Sequence, residues 1–373
     1  MSERHRLREN QLQLNEPLPW DVYDRNNQLL LRKGYVIQRT EQIERLLEEG
    51  IYVDASQFRQ QAEQSVATKR GFDPLSTWYE IQSALLALGS APPEDGGFTP
   101  RVHNLARSVM ELCSKCPDLA VAAITRIEFR RYPLAHSLHV AVLAELIARR
   151  GDFDEASRIS LISAALTENL AILALQHQLY SQQAPLTPEQ REAIFIHPEA
   201  SARMLEHCGV SDAEWLRAVR EHHETTDGKG YPQHSRTPSM LAQIINACDV
   251  YAAKITGRAY RKPLASMDAA RALYLAMAAD DRNPFAALLI KEVGMYPPGT
   301  LVRLANGETG VVSRRNPEHA NAPQVAVLIN SKGLRQMDPV LRDTKASPDY
   351  RITAVLPADN PLFTVDFARI WYH

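Results

Sequence analysis

HHETTDGKGYP, residues 222–232, gathers two adjacent histidines, a glutamate, an aspartate, two glycines and a Tyr-Pro pair in eleven positions. It lies inside a long helical pattern. Apolar residues recur at three- and four-residue spacings over 101–127, 136–149, 155–178, 189–206, 212–222, 238–254 and 265–279. Strand-like alternation is absent there, so the spacing predicts an α-helical domain from about residue 99 to 294. Thr187-Pro188-Glu189-Gln190 supplies a capping Thr, a Pro at the first helical position and Gln at the third.

The helical region also holds the residue types that bind cations: His136, His139, His197, His222, His223, Asp227 and Asp249. Consecutive helical residues diverge by about 100°, so His222 and His223 are not expected to aim at one point. His197 precedes Pro198, which disfavours helical geometry at the residue before it and predicts a helix junction there. Asp249 sits in the apolar run QIINACDVYAAKI, where a carboxylate is costly to bury without a neutralising partner. A metal would serve, and so would Arg258. Singly, each histidine reads equally well as a hydrogen-bonded core or surface residue. Together, imidazoles and carboxylates are the mixture that holds iron, manganese or zinc. In the loop, Gly228 and Gly230 permit positive φ and close backbone approach, and Pro232 holds Tyr231 extended. That ring suits stacking on a base or bonding to a phosphate, or else a purely structural turn.

The rest of the chain is read more briefly. It has 373 residues and a formal net charge of −2, so no bulk attraction to nucleic acid or anionic membrane is implied. The N-terminus has no signal-peptide h-region, and no run of 18 apolar residues is seen, so neither export nor a membrane span is expected. Four cysteines are too few for a disulfide framework; a cytoplasmic protein is the expectation. Cys113 and Cys116 form a CxxC with no second pair, which reads as two packing residues. Residues 17–54 suggest a hairpin turning at 24–27, then a helix over 41–50, and 55–71 reads as a linker. After Tyr296 the pattern becomes β-rich, with a hairpin signal at Asn306-Gly307.

HHETTDGKGYP resembles the HHExxDGxGYP signature of the HD-GYP domains, bacterial members of the HD phosphohydrolase superfamily. The resemblance runs over roughly 120–294 with its order kept. HSLHVA (136–141) is similar to the segment carrying the family's first histidine ligand, LTPEQREAIFIHPEASARML to its LTPEE…HP helices, and ACDVYAAKITGRAYRKP to its ADVFDALTSxRPYR segment. The resemblance implies metal ligands His136, His197, His222, His223 and Asp249, and substrate contacts at Lys229, Tyr231, Arg258 and Arg261. It implies an HD-domain helical bundle, placed over 71–295; with the small N-terminal α/β module and linker read over 1–70 and the C-terminal β appendage read over 296–373, the expected fold is mainly α. It also implies cyclic di-GMP hydrolysis with bound iron or manganese.

One helix departs from the family pattern. Where the family reads roughly AALLHDIGKIGIP, this chain reads AALTENLAILALQ, so Glu168 and Asn169 stand at the catalytic His-Asp positions and Ile172 at the Lys. Tyr132 stands where some three-metal members carry glutamate. A neutral amide is a poor bridge between two cations, whereas Glu168 can still ligate one. The expectation is one or two divalent ions, or none, and a protein that binds cyclic di-GMP or a signalling partner with weak or absent hydrolysis. The alternatives are an active phosphodiesterase with an altered metal site, and a scaffold that docks another signalling enzyme such as a diguanylate cyclase.

Overall fold

The computed structural model describes residues 4–6, 20–25, 28–35, 51–54, 72–90, 97–127, 132–256, 266–273, 283–316, 318–357 and 365–372, with isolated positions between them. The chain divides into two compact units, Met1–Asp73 and Pro74–His373.

The first unit is built on four short antiparallel strands: β1 (Arg4–Arg6), β2 (Val22–Tyr23), β3 (Leu29–Leu31) and β4 (Tyr52–Asp54), in the order β1-β4-β2-β3. The hairpin between β2 and β3 is closed by Asp24, whose N–H donates to Gln28 O at 2.9 Å and whose carboxylate accepts from Gln28 N at 2.8 Å. Leu18, Trp20, Val22, Ile37, Ile51 and Val53 form its core. The helix expected over 41–50 and the linker over 55–71 lie almost wholly outside the described residues.

The second unit is mainly helical. Its longer helices among the described residues are α1 (Pro74–Ser90), α2 (Phe98–Lys115), α3 (Pro117–Arg126), α4 (Tyr132–Arg150), α5 (Glu155–Thr167), α6 (Leu173–Ser181), α7 (Pro188–His207), α8 (Ala213–Glu221), α9 (Met240–Ile255), α10 (Ser266–Leu273) and α11 (Pro284–Val293), and a short one follows at Phe367–Trp371. Their starts follow local chemistry. Thr187 and Gln190 exchange both bonds of a capping box at α7. Asp212 caps α8 by accepting from Trp215 N, and its other oxygen accepts from Ser160 Oγ of α5 at 2.6 Å.

Three sequence expectations change here. The run over 101–127 breaks at Cys116, because Pro117 opens a new helix. Cys113 is a free, buried packing residue whose thiol burial pushes up, and Cys116 is a free helix-cap residue. The run over 155–178 is interrupted: α5 ends at Thr167, and a 3-10 turn over Leu170–Ile172 precedes α6. The Ala171 N–H is taken by Ser201 Oγ at 3.1 Å, and the Ile172 N–H by Asn169 O at 3.0 Å. Finally, α7 runs straight through Pro198, so His197 lies within a helix and not at a junction.

The segment Glu155–Ser181 contains a window of mean hydropathy 1.5, enough by length and composition to cross a membrane, contrary to the sequence expectation. That window is 61% buried inside the unit, so its apolar side chains form core. The turn in its middle is where Glu168 projects.

A five-stranded antiparallel sheet completes this unit: β5 (Leu301–Leu304), β6 (Thr309–Arg314), β7 (Gln324–Ile329), β8 (Arg335–Asp343) and β9 (Ile352–Val355), ordered β8-β7-β6-β5-β9. Gly307 takes φ +87° in the turn that the Asn-Gly pair announces. The sheet is tied to the helices by polar bonds. Arg126 Nε donates to Gly299 O at 2.6 Å, and Arg315 reaches both Asp118 (2.6 Å) and Glu292 (2.9 Å).

Candidate metal centre

Five segments aim side chains at one cleft. α4 brings His136, the turn after α5 brings Glu168, α7 brings His197, the end of α8 brings His222 and His223, and α9 brings Asp249. Two sets of potential ligand atoms result, each mutually within 4.8 Å: His197 with His222 and His223, and His136 with Glu168 and Asp249. Asp249 links the sets. It accepts from His136 Nε2 at 2.6 Å, and its other oxygen lies 4.0 Å from His223 Nδ1.

His222 and His223 do converge, against the helical expectation. α8 ends at Glu221, His222 caps it with helical backbone angles, and the two imidazole rings nonetheless lie 4.1 Å apart, centroid to centroid. Asn246 Nδ2 donates to His222 O at 2.8 Å and fixes that helix end.

The proline before α7's middle has a second effect. Pro198 has no N–H, so the carbonyl of Ile194 loses its helical donor. His197 Nδ1 donates to that carbonyl at 2.6 Å. His222 Nδ1 likewise donates to Val219 O at 2.7 Å, near the end of α8. Both rings therefore carry their proton on Nδ1 and turn a bare Nε2 inward. Burial holds both rings neutral; His197 falls to about 3, with His222 adding to the effect. The two Nε2 atoms face each other at 3.1 Å. Two lone pairs this close repel each other, and the spacing suits two nitrogens on one cation at about 2.1 Å each.

Glu168 fits a cation for a different reason. It is fully buried, and burial, then the charge of Asp249, pushes its carboxyl well above the ordinary value. Oε1 accepts from Asn169 Nδ2 at 3.1 Å, while Oε2 has no hydrogen-bond partner among the described residues. An orphaned buried carboxylate oxygen is costly unless positive charge meets it. Burial also opposes ionisation of Asp249, but the His136 hydrogen bond and the neighbouring histidines outweigh it and hold that carboxyl below its ordinary range. The donor set therefore suits a divalent metal.

The other sequence candidates fall differently. Asn169 is buried but its amide is engaged with Glu168, and it joins neither ligand set. His139 is buried one turn along α4 and stands outside both sets; burial and then His136 lower it to about 3. Asp227 shapes the loop, accepting from Thr225 Oγ1 at 2.7 Å and Lys229 N at 3.1 Å. The Lys229 side chain is 77% exposed on the loop's outer surface. Tyr231 packs its ring on His223, with centroids 4.5 Å apart. Arg258 and Arg261 lie outside the described residues.

Sequence reasoning gave no role to Glu224 or Phe195. Glu224 is buried and accepts from the backbone N–H groups of Gln233 (2.6 Å) and Ser235 (2.9 Å), clamping the far end of the loop. A glutamate directly after two candidate ligands was the available signal. Phe195 had none beyond being an aromatic residue two positions before His197.

The two loop glycines do different work. Gly228 takes φ +73°, while Gly230 is demanded by contact: a Cβ there would lie 2.4 Å from His223 O and 2.5 Å from Glu224 Cα. Gly230→Ala is therefore expected to destabilise the second unit by about 1–3 kcal/mol, the usual cost of overpacking. It should also displace Tyr231. A melting temperature equal to the native value would contradict this.

Residues 107–282 match the HD domain family. The chain is similar to cyclic di-GMP phosphodiesterase PA4108 of Pseudomonas aeruginosa, with 29% identity over 264 residues, covering 70% of this chain and 64% of that one. It is also similar to 3'3'-cGAMP-specific phosphodiesterase 3 of Vibrio cholerae, with 31% identity over 171 residues, 44% of this chain and 37% of that one. The chain thus spans less than two thirds of the length of the curated relatives it matches. In fold it resembles Bd1817, a HDG"Y"P protein from Bdellovibrio bacteriovorus, with TM-score 0.50 and 18% identity over 78% of this chain and 98% of that one.

By this match, residues 107–282 carry an HD domain. The HD-GYP signature at 222–232 lies inside the matched region and forms one wall of the cleft. The opposite wall of the cleft is the turn at Glu168 and Asn169.

Proposed function

We propose that this protein acts in cyclic di-GMP signalling by binding the dinucleotide at the cleft, with hydrolysis weak or absent. The observation that carries this reading is Asn169. It stands where the family resemblance puts the aspartate that bridges two cations, and its neutral amide is spent on Glu168.

A divalent metal in the cleft, iron or manganese by family resemblance, supplies positive charge for a phosphate and a water acidified for attack. His197, His222 and His223 would hold it through neutral imidazoles, with Asp249 and Glu168 supplying negative charge. Those two carboxylates belong to one ligand set, and the histidine set has none of its own. Asp249 alone reaches toward both sets, its second oxygen 4.0 Å from His223 Nδ1, and the neutral Asn169 adds no second negative charge to hold two cations close. Binding does not need that bridge. Burial, with Asp249 and Glu168 nearby, keeps the Tyr231 hydroxyl protonated, so it can donate to a phosphate oxygen. The Arg258 and Arg261 positions would add charge by the same resemblance.

One observation favours a second reading, an active phosphodiesterase with an altered site. Glu168 Oε2 is unpartnered beside His136 and Asp249, a third ligand in place. Calorimetric titration of the manganese-loaded chain with cyclic di-GMP separates the readings. Saturable binding in the micromolar range, with the nucleotide recovered intact, is expected. No binding would sink the proposal, and rapid linearisation would favour the second reading.

A further inference from the structure

A run of rings leads outward from the cluster of candidate ligands. His223 and Tyr231 lie 4.5 Å apart with planes 27° from parallel, and Tyr231 and Phe195 lie 5.6 Å apart at 21°. Tyr231 is thus sandwiched, and Phe195, 42% exposed on α7, ends the stack in solvent. His234 stands beside it at 6.3 Å and 48°. His234 takes φ +58°, a backbone that non-glycine residues adopt uncommonly. The buried Glu224 clamps the N–H groups on either side of it, so that ring is positioned and not adventitious. A single exposed phenylalanine needs no explanation on its own. This one continues, with its plane nearly parallel to that of Tyr231, a stack that begins on a candidate ligand.

We infer that Phe195, with His234 beside it, is the platform on which a purine base of the bound dinucleotide stacks while the attached phosphate faces the cluster. The inference rests on the binding reading proposed above. Ribose separates base from phosphate in any nucleotide, and the ring stack offers a flat apolar surface set off from the cations in the same sense. Aromatic platforms hold bases through their π faces, a sequence-tolerant interaction. A phosphate, in contrast, gains nothing from Phe195.

The test titrates the full, manganese-loaded chain with cyclic di-GMP and, separately, with inorganic phosphate. The native protein, Phe195→Ala and Phe195→Trp are compared, with metal content measured for each. Phe195→Ala should weaken cyclic di-GMP binding by about tenfold or more, the size of one base stack. Phe195→Trp should keep the affinity, and phosphate binding and metal content should not change in either variant. Equal dinucleotide affinity in the native and Ala proteins overturns the inference. So does a parallel loss of phosphate binding, or a loss in Trp as large as in Ala. Failure of the native chain to bind cyclic di-GMP overturns the binding reading, and this inference with it.

Discussion

Changing Glu168 to histidine and Asn169 to aspartate together is expected to raise metal affinity on the order of 10- to 100-fold and to bring measurable cyclic di-GMP hydrolysis. The aspartate restores a carboxylate able to serve two cations, and the histidine adds a neutral imidazole opposite the existing three. The changes must be made as a pair. Asn169→Asp alone sets a second carboxylate against the buried Glu168, where Asn169 now donates a hydrogen bond. Like charges in a buried site disfavour ionisation of both, so the single variant should gain little. The coupling is readable in a double-mutant cycle on metal content. Ile172→Lys, at the end of the 3-10 turn, extends the same restoration and is expected to affect turnover more than occupancy. Unchanged metal content in the double variant would mean that the cleft does not hold its cations in the way argued here.

The second large effect runs against the usual direction of a core substitution. Glu168→Met is expected to stabilise the metal-free protein by about 1–3 kcal/mol near neutral pH, because it removes a buried carboxyl with an unsatisfied oxygen that must hold a proton in the folded state. The sign follows from linkage. The Glu168 carboxyl is held well above its ordinary 4.5 by burial and by Asp249, so the folded chain keeps a proton that the unfolded chain releases. The Glu168 contribution to the stability of the metal-free native protein therefore falls as pH rises above about 4.5, until the folded group itself ionises, while the buried neutral His139 and His197 give the opposite slope below 6.5 in both proteins. Met at this position removes that slope. With manganese present the order should reverse, because metal stabilises only the chain that binds it, and its binding displaces the proton. Melting temperatures of both proteins, with chelator and with manganese, over a pH series give the answer. A lower melting temperature for Glu168→Met under chelator would show that the carboxyl is already satisfied without a cation.

The sequence made much of this cleft legible, and for definite reasons. His136, His197, His222, His223 and Asp249 stood out because histidines and a carboxylate are uncommon in apolar helical runs. The capping box at Thr187 and the Asn306-Gly307 turn were readable because their chemistry is local. What failed depended on where helices stop. His222 and His223 converge at the C-terminal end of α8, a boundary that periodicity does not fix to a single residue. Pro198 was read as a break, yet α7 absorbs it, and the carbonyl it frees fixes the His197 tautomer instead. The C-terminal sheet was legible from its β-rich pattern, but its ties to the helices, Arg315 to Asp118 and Glu292 and Arg126 to Gly299, were not, because they join residues remote in sequence. Phe195 carries no pattern of its own; only the packing of Tyr231 against it gives it meaning.

The most direct measurement counts metal and turnover on one sample. The full chain is produced with iron or manganese supplied, its metal content is determined, and the same preparation is incubated with cyclic di-GMP. The account predicts about one ion or fewer per chain and nucleotide that is bound but recovered largely intact. Two tightly held ions per chain with rapid, complete linearisation would contradict it.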